Sequence, residues 1–431
     1  MKIDSIQLKN FRCFKNLELS FNPKLTVIVG KNASGKSTIL DAVAIAVGTF
    51  PSTFDGIGNY GIKKEDAMLV TNMFGDSLNS TPVYPVVISS NGKIGDNNVH
   101  WERALTKSTG RCTFSLAKEI TKITEDYQKR IIAGDTTVIL PLVAYYGTGR
   151  LWLQHREKKE DVLLNSSRTN GYIDCMDSAA NDKLIMNWFN KETSKKLQKK
   201  TGTAAFDAVI MAIEKCISLL VEEDDVSVSY NFDNNDLDIQ YRMDGKDIIF
   251  PLNRMSDGYR CTISLITDIA YRMAQLNPQL REQVLETPGV VIIDEIDLHL
   301  HPEWQKRILD DLTSIFPNIQ FIVSTHASSV ISSVTSDNLI MLDGNKAVSP
   351  SGEVYGKDSN TIHSSIMGSS ERPDKIKNLF LEFYKYLEVA DIENADLTIK
   401  KIESKIGIND SELNACYTKL ALAKLKVGKR K

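Results

Sequence analysis

Residues 25–38 read LTVIVGKNASGKST, an apolar run that passes into a loop bracketed by glycines. Residues 30–37 fit the pattern GxxxxGK followed by Ser or Thr. The apolar residues after this loop, at positions 39, 40, 43 and 47, have helical spacing. The segment therefore predicts a buried parallel strand, a phosphate-binding loop and a helix, in that order. The flanking elements disfavour the competing interpretation, an ordinary Gly-rich turn.

The loop predicts a site for ATP and Mg²⁺. Glycines let backbone N–H groups turn inward and surround phosphates at a helix N-terminus. Lys36 would then reach the β- and γ-phosphates, and the Ser37 hydroxyl would ligate Mg²⁺. The predicted nucleotide-binding residues of this loop are Gly30, Asn32, Ala33, Ser34, Gly35, Lys36, Ser37 and Thr38.

Two further apolar runs end in polar residues: residues 289–295 read GVVIIDE and residues 321–326 read FIVSTH. Open α/β sheets bind ligands at the carboxyl ends of their strands. We therefore expect Asp294 to hold Mg²⁺ through water and Glu295 to orient or deprotonate the attacking water. His326 is predicted to donate a hydrogen bond to the γ-phosphate. The competing interpretations are that Asp294 and Glu295 only cap the end of a strand and that His326 has only a structural role.

Residues 253–260, NRMSDGYR, lie between a predicted strand and a predicted helix. Ser256 can cap that helix, whose free N–H groups and dipole then attract an anion. Taken alone this signal is weak, because Ser-Asp-Gly is a common turn.

Length and composition describe an ordinary folded chain. The 431 residues carry a net charge of −3, and charged residues make up 25%. Disorder and a globally basic nucleic-acid binder are excluded. Alternating residues after Pro82 predict antiparallel strands, residues 50–80 predict a loop, and residues 371–427 predict two or three amphipathic helices. We expect four parts: an N-terminal ATPase lobe with an antiparallel β subdomain (1–150), a helical insertion (151–225), a C-terminal ATPase lobe (226–350) and a helical tail (351–431).

The sequence contains no run of 18 apolar residues, and residues 1–14 lack the apolar core of a secretion signal. Its six cysteines show no CxxC spacing, which is typical of reduced thiols. We expect a cytoplasmic protein without a membrane partner.

Together these segments resemble the ABC-type ATPases of the SMC and recombination-repair head class. The most similar variant is the family of standalone bacterial ATPases that includes PtuA of the Septu anti-phage system. Supporting segments are LKNFR at 8–12, YYGTGR at 145–150 and DEIDLHLHP at 294–302. The resemblance implies an α/β fold, an ABC/SMC-type P-loop head with an antiparallel β subdomain, a helical insertion and a C-terminal helical tail.

The resemblance also implies a head-to-tail dimer, or a higher homo-oligomer, with ATP sandwiched between copies. Ser256 and Gly258 of one copy would cap the γ-phosphate held by the P-loop of the other. Arg12 would approach the phosphates, and Asp297 would cross the interface. The usual signature has a glycine where this chain has Asp257. A carboxylate there repels the γ-phosphate unless it turns away, so we expect slow ATP hydrolysis.

For function, the resemblance implies an ATPase that regulates a separately encoded HNH nuclease of the PtuB type in anti-phage defence, with the tail as its dock. The main alternative is a DNA-repair ATPase head that acts on DNA without a nuclease partner. The motor of a membrane transporter is disfavoured by the long separation between Lys36 and Ser256. A nuclease with its own toprim-like domain is disfavoured because the tail has no suitable carboxylate cluster.

Two weaker features have open interpretations. Basic residues cluster at Lys191, Lys195, Lys196, Lys199 and Lys200, and again at Lys424, Lys426, Lys429, Arg430 and Lys431. Such clusters are either solvated faces or contacts to DNA phosphates. His299 and His301 form an HxH pair, but metal binding is disfavoured because no cysteine or further histidine accompanies them.

Overall fold

The computed structural model describes residues 1–74, 77–149, 167–177, 182–199, 204–223, 225–243, 245–350, 352–366, 368 and 372–428. The chain divides into two compact units, Met1–Lys357 and Asp358–Lys431. Several predicted features lie outside the described residues: Arg150, Lys200, residues 429–431 and the first part of the expected helical insertion.

The regular elements are numbered in chain order. The strands are β1 (Lys2–Phe11), β2 (Phe14–Ser20), β3 (Leu25–Gly30), β4 (Leu69–Phe74), β5 (Ser77–Pro82), β6 (Val86–Ile94), β7 (Asn97–Leu105), β8 (Leu142–Tyr146), β9 (Val226–Asn231), β10 (Asp236–Met243), β11 (Lys246–Pro251), β12 (Gly289–Ile293), β13 (Ile319–Ser324), β14 (Leu339–Asp343) and β15 (Lys346–Val348). The α-helices are α1 (Lys36–Val47), α2 (Lys118–Ile132), α3 (Asp182–Lys199), α4 (Ala204–Val221), α5 (Asp257–Leu276), α6 (Pro302–Gln305), α7 (Ile308–Ile315), α8 (Ser328–Ile331), α9 (Ser359–Ser365), α10 (Asp374–Glu388), α11 (Ile392–Ile406) and α12 (Ser411–Gly428).

A six-stranded sheet forms the centre of the first unit, in the order β15-β14-β3-β13-β12-β8. All neighbours are parallel except β15, which runs antiparallel to β14. Strands β3, β8, β12 and β13 are buried along their whole length, as expected for a parallel sheet covered on both faces. Because β3, β13 and β12 are adjacent and parallel, the loops that follow them meet at one edge of the sheet.

Antiparallel strands make up the rest of the β structure. Four of them pair in the order β2-β1-β6-β7, three pair in the order β11-β10-β9, and β4 pairs with β5. The last pair corrects a prediction, because residues 50–80 were expected to be a loop. Strand β5 is exposed throughout, and its Ser and Asn residues are typical of turns. The hairpin therefore has no buried face, and without one its sequence does not alternate between apolar and polar residues as a half-buried strand does.

Helix α5 is anchored in the first unit by a buried ion pair. Nε of Arg272 lies 2.8 Å from Oδ2 of Asp268, and both side chains are at most 4% exposed. The Tyr146 hydroxyl, at the end of β8, donates to the same carboxylate oxygen (2.7 Å). Arg272 also donates to the carbonyl oxygens of Gly171 and Ile173. Removing one partner of such a buried pair typically costs about 3–5 kcal/mol, so α5 and β8 form one rigid block.

The second unit contains α9 to α12. Helices α10, α11 and α12 share an apolar core that includes Phe383, Ile399, Ile402, Leu413 and Cys416. The sequence predicted two or three amphipathic helices here, and the structure has three. Among the described residues, every helix is too short or too polar to span a lipid bilayer.

Candidate functional site

The loop between β3 and α1 has a backbone that glycine makes possible. Ala33 and Gly35 have positive φ angles of 64° and 96°, a geometry in which successive N–H groups form an anion-binding concavity. A Cβ atom on Gly35 would lie 2.5 Å from the ring of Phe14. A Cβ atom on Gly30 would lie 2.6 Å from Oγ of Ser34. Larger residues at both glycines would therefore disturb the loop.

Lys36, the first residue of α1, is a buried cation with 6% of its surface exposed. Its Nζ donates to the carbonyl oxygens of Gly30 (3.0 Å) and Lys31 (3.2 Å). Burial lowers the pKa of Lys36, and the nearby carboxylates of Asp294 and Glu295 act in the opposite direction. The loop thus holds an ammonium group close to the two carboxylates that follow β12.

A serine that the sequence interpretation missed positions the carboxylate of Asp294 and the backbone of Glu295. The Ser324 hydroxyl donates to Oδ1 of Asp294 (2.5 Å) and accepts from the backbone N–H of Glu295 (2.8 Å). Glu295 has a φ of 50°, so the chain turns sharply where the second carboxylate begins. Ser324 ends β13, the strand beside β12. Ser324 directly precedes Thr325 and His326 at the polar end of a predicted strand. That position was the signal from which the sequence could have identified it.

His326 follows the same strand. The Thr325 hydroxyl donates to Oδ1 of Asp297 (2.6 Å), and the His326 N–H points at the same oxygen (3.4 Å). Asp297, expected to cross a dimer interface, is thus hydrogen-bonded within its own chain. Burial lowers the pKa of His326 from its ordinary 6.5, and Lys36 lowers it further. The lowered pKa favours the neutral imidazole, in which one ring nitrogen carries a proton that it can donate.

Arg12 lies in the turn between β1 and β2 and is engaged by two carboxylates. Its Nε donates to Oδ1 of Asp66 (2.8 Å) and its Nη1 donates to Asp41 (2.5 Å). The Tyr145 hydroxyl donates to the other oxygen of Asp41 (2.8 Å). The sequence interpretation singled out Arg12 but neither carboxylate. Asp41 stands four residues after Ser37, so it shares a face of α1 with it, and that spacing was a usable signal.

A cavity of about 900 Å³ opens beside this cluster, within the size range of ligand pockets. Its wall includes Arg12, Ser37, Tyr145, Thr148, Asp294 and Glu295. The fold therefore brings four of the predicted site residues to one cavity, although they come from three distant parts of the sequence.

The predicted signature residues lie elsewhere in the chain. Ser256 is exposed and occupies the N-cap position of α5, as predicted, but its hydroxyl makes no capping hydrogen bond to the helix. Gly258 is buried, and a Cβ atom there would lie 2.6 Å from the carbonyl oxygen of His299. Asp257 is exposed and pairs with Arg260 (3.4 Å). Within the described residues, neither Ser256 nor Gly258 lines the cavity beside Ser37.

One histidine of the HxH pair, His301, has a structural role. Nδ1 of His301 accepts from the backbone N–H of Glu303 (3.4 Å) and caps α6. The described part of the chain contains no group of three or more His, Cys, Asp or Glu side chains that could hold a metal ion. A magnesium ion needs fewer protein ligands, because it keeps several waters. The hydroxyl of Ser37 and the carboxylate of Asp294 border one cavity and are suitable donors for it.

The residues present fit a bound triphosphate. The Ser34 hydroxyl is buried and has no hydrogen-bond partner within the described residues, although buried polar groups are normally paired. It belongs to the loop whose glycines keep the backbone open to a close ligand. A phosphate oxygen held by this loop would supply an acceptor for both the hydroxyl and the Lys36 ammonium.

Two family models match the chain. The AAA domain model matches residues 5–220, which is half of the chain, and the AAA ATPase domain model matches residues 113–331. The chain belongs to the family of AAA-domain ATPases. Each of the two matches includes part of the cluster described above.

This ATPase has relatives along most of its length. It is 26% identical to the retron Vc95 probable ATPase of Vibrio cholerae, over 86% of this chain and 80% of that protein. It is 26% identical to the retron Ec83 probable ATPase of Escherichia coli, over 89% of this chain and 79% of that protein. The Septu protein PtuA of Bacillus mycoides is 25% identical over 75% of this chain but only 38% of PtuA. A solved structure of an SMC head bound to the C-terminal winged-helix domain of ScpA is 19% identical, covers 81% of the ATPase and 98% of that chain, and has a TM-score of 0.47.

Proposed function

We propose that this chain binds and hydrolyses ATP with Mg²⁺, that two or more copies sandwich the nucleotide, and that the assembly regulates a separately encoded HNH nuclease in anti-phage defence. The observation that supports it best is the convergence of a buried lysine, two consecutive carboxylates and a histidine at the ends of β3, β12 and β13. These groups interact electrostatically with one another.

ATP would be held mainly by the loop of residues 30–37. Its N–H groups, the Ser34 hydroxyl and the Lys36 ammonium are donors for the phosphates. Lys36 now donates to two loop carbonyls, so binding phosphate exchanges neutral acceptors for charged ones. Phosphate oxygens carry negative charge and attract the ammonium group more strongly than carbonyl oxygens do, which favours that exchange.

Mg²⁺ would be held by Ser37 and by Asp294, whose orientation Ser324 fixes. The ion neutralises charge that develops on the transferred phosphoryl group. Glu295 is the general base in this proposal, since it borders the cavity and is only half-buried. His326, which lies close enough to Lys36 for the two to interact electrostatically, donates a hydrogen bond toward the γ-phosphate and stabilises its charge.

The remaining contacts would come from a second copy. Ser256 is exposed at the end of α5, and its uncapped helix N-terminus presents N–H groups and a positive dipole end. The ion pair between Asp257 and Arg260 offsets part of the carboxylate's negative charge. Both side chains are substantially exposed, so this offset is small. We therefore propose that the closed dimer forms with ATP and that hydrolysis within it is slow.

The relatives support the biological part of the proposal. Two are named as retron ATPases and another as a Septu protein, and the Septu system is the anti-phage context that the sequence resemblance implied. The tail is the proposed dock for the nuclease. It forms a compact unit of its own, and Leu381, Val389 and Leu397 are apolar residues that it exposes.

The docking proposal predicts that an HNH nuclease from the same genome co-purifies with the full chain but not with a chain that ends at residue 370. ATP affinity should be the same for both chains, because the loop of residues 30–37 lies in the other compact unit. Co-purification is measured by affinity capture, and ATP affinity by calorimetry. Capture of the nuclease by the truncated chain would refute the dock. If the full chain captures no nuclease and DNA raises its ATP turnover, the DNA-repair alternative is correct.

A further inference from the structure

A second cavity, of about 730 Å³, lies beside the C-terminal half of α5 and is also bordered by α3, by the start of α4 and by the segment that begins at Ser167. It shares no lining residue with the cavity beside Ser37. Its lining combines two aromatic residues (Trp188 and Tyr271) with four cationic ones (Arg168, Lys191, Lys195 and Arg281) and two carboxylates (Glu192 and Glu282).

The aromatic wall is held in place by edge contacts. Trp188 is half-buried, and its ring lies 5.2 Å from Phe189, 5.5 Å from Phe206 and 5.3 Å from Tyr271, measured between centroids. Such clusters fix the ring without using all of its surface. A planar base can stack on an aromatic side chain of this kind, and such stacking tolerates any base.

The cations differ in what they already bind. Lys195 pairs with Glu192, and Arg168 donates to backbone carbonyls, so both have structural partners. Lys191 and Arg281 are exposed, and neither has a carboxylate within ion-pair distance among the residues that the structure describes. Two exposed cations that line an aromatic cavity and form no ion pair within the described residues suit a phosphate group.

The backbone conformation of Arg281 is an independent indication that this cavity is a ligand site. Its φ and ψ are 52° and −119°, a conformation that glycine adopts freely and that strains any residue with a side chain. Strain of this kind clusters at ligand sites. Here it occurs at the residue that brings a guanidinium group to the rim of the cavity.

We propose that this cavity binds an aromatic base that carries a phosphate, with the base against Trp188 and the phosphate between Lys191 and Arg281. Two sources share this chemistry: a free nucleotide and the phosphorylated end of a single-stranded nucleic acid. The site is independent of the triphosphate site, because Lys36 and its neighbours contribute nothing to its lining.

The test titrates two probes into the full-length chain carrying Lys36→Ala, which removes the main phosphate contact of the other site. The probes are deoxyadenosine 5′-monophosphate and a short 5′-phosphorylated oligodeoxyadenylate. Calorimetry should show binding that weakens about tenfold in Arg281→Gly and in Lys191→Gln. Lys196→Gln is the matched control, because this lysine is also on α3 but does not line the cavity. Arg281→Gly should keep or raise the melting temperature, since glycine relieves the strain.

Binding of the monophosphate with this dependence supports the proposal and identifies a nucleotide site. Binding of the oligonucleotide alone, lost when its 5′-phosphate is removed, supports it and identifies a strand-end site. The proposal is overturned if neither probe binds, or if Arg281→Gly and Lys191→Gln bind the probes as tightly as the Lys196→Gln control does.

Discussion

Lys36→Ala is expected to weaken ATP binding by about a hundredfold or more while leaving the fold intact. The ammonium group is the strongest donor that the loop offers to a phosphate, and a hydrogen bond between charged groups contributes about 1.5–3 kcal/mol. The fold should tolerate the change because burial lowers the pKa of Lys36, which shows that the charge is costly in the unliganded chain. Calorimetry measures the affinity, and thermal unfolding measures stability.

Lys31→Ala is the matched control for this experiment. Lys31 belongs to the same loop but is exposed, so its removal should change ATP affinity by much less. If Lys36→Ala retained the affinity of the Lys31→Ala chain, the loop would not be the phosphate site. If Lys36→Ala unfolded, Lys36→Met would replace it, because it keeps the apolar stem and removes the charge.

Glu295→Gln is expected to slow ATP hydrolysis by about 10²–10⁴-fold, the range that a positioned general base contributes. The amide has the shape of the carboxylate, and the backbone N–H of residue 295 donates to Ser324 whichever side chain is present, so the fold should be retained. ATP then persists, and the closed oligomer persists with it. Single-turnover phosphate release measures the first effect. Light scattering with ATP and Mg²⁺ measures the second as a gain in mass.

Glu303→Gln provides the control for Glu295→Gln. Glu303 is an exposed carboxylate that pairs with Lys306, and it should affect neither hydrolysis nor mass. A Glu295→Gln chain that hydrolyses ATP like the unmodified chain and shows the same mass would remove Glu295 from the role of base.

Much of the fold could be predicted from local pattern. The strand, loop and helix at residues 25–47 were readable because a buried parallel strand leaves an unbroken apolar run and the loop needs glycines at fixed positions. The family matches confirm the expected ATPase domain, and the expected likeness to PtuA is borne out by the Septu relative. The expected α/β class is confirmed by the parallel sheet, the antiparallel sheets and the C-terminal helices.

What the sequence did not reveal depends on contacts between distant segments. The carboxylates around Arg12 are Asp41 and Asp66, and only the packing of β1 against the segment before β4 brings Asp66 there. The cavity beside Trp188 joins α3, α4 and α5, and the strain at Arg281 is a backbone property that no residue pattern reports. The β4–β5 hairpin was not predicted because both of its strands are largely exposed and so have no apolar face to mark them in the sequence.

The sequence could not supply the hydrogen-bond partners of two residues that it singled out. Ser256 is the N-cap residue of α5, as expected, but its hydroxyl makes no capping hydrogen bond. Asp297 accepts a hydrogen bond from Thr325, and its place at a dimer interface stays a prediction. A short polar side chain has several possible partners, and only the tertiary structure selects among them.

The central claim is that the P-loop of one copy and Ser256 of another bind the same ATP. It is tested most directly by mixing two defective chains, one with Lys36→Ala and one with Ser256→Arg, each also carrying Glu295→Gln so that ATP persists. Neither chain alone should gain mass on addition of ATP and Mg²⁺. The mixture should form a dimer with one complete site, whereas a mixture of Lys36→Ala with the Lys36→Ala/Ser256→Arg chain should not. If the first mixture gains no mass, or if the Ser256→Arg chain assembles by itself, the shared site does not exist.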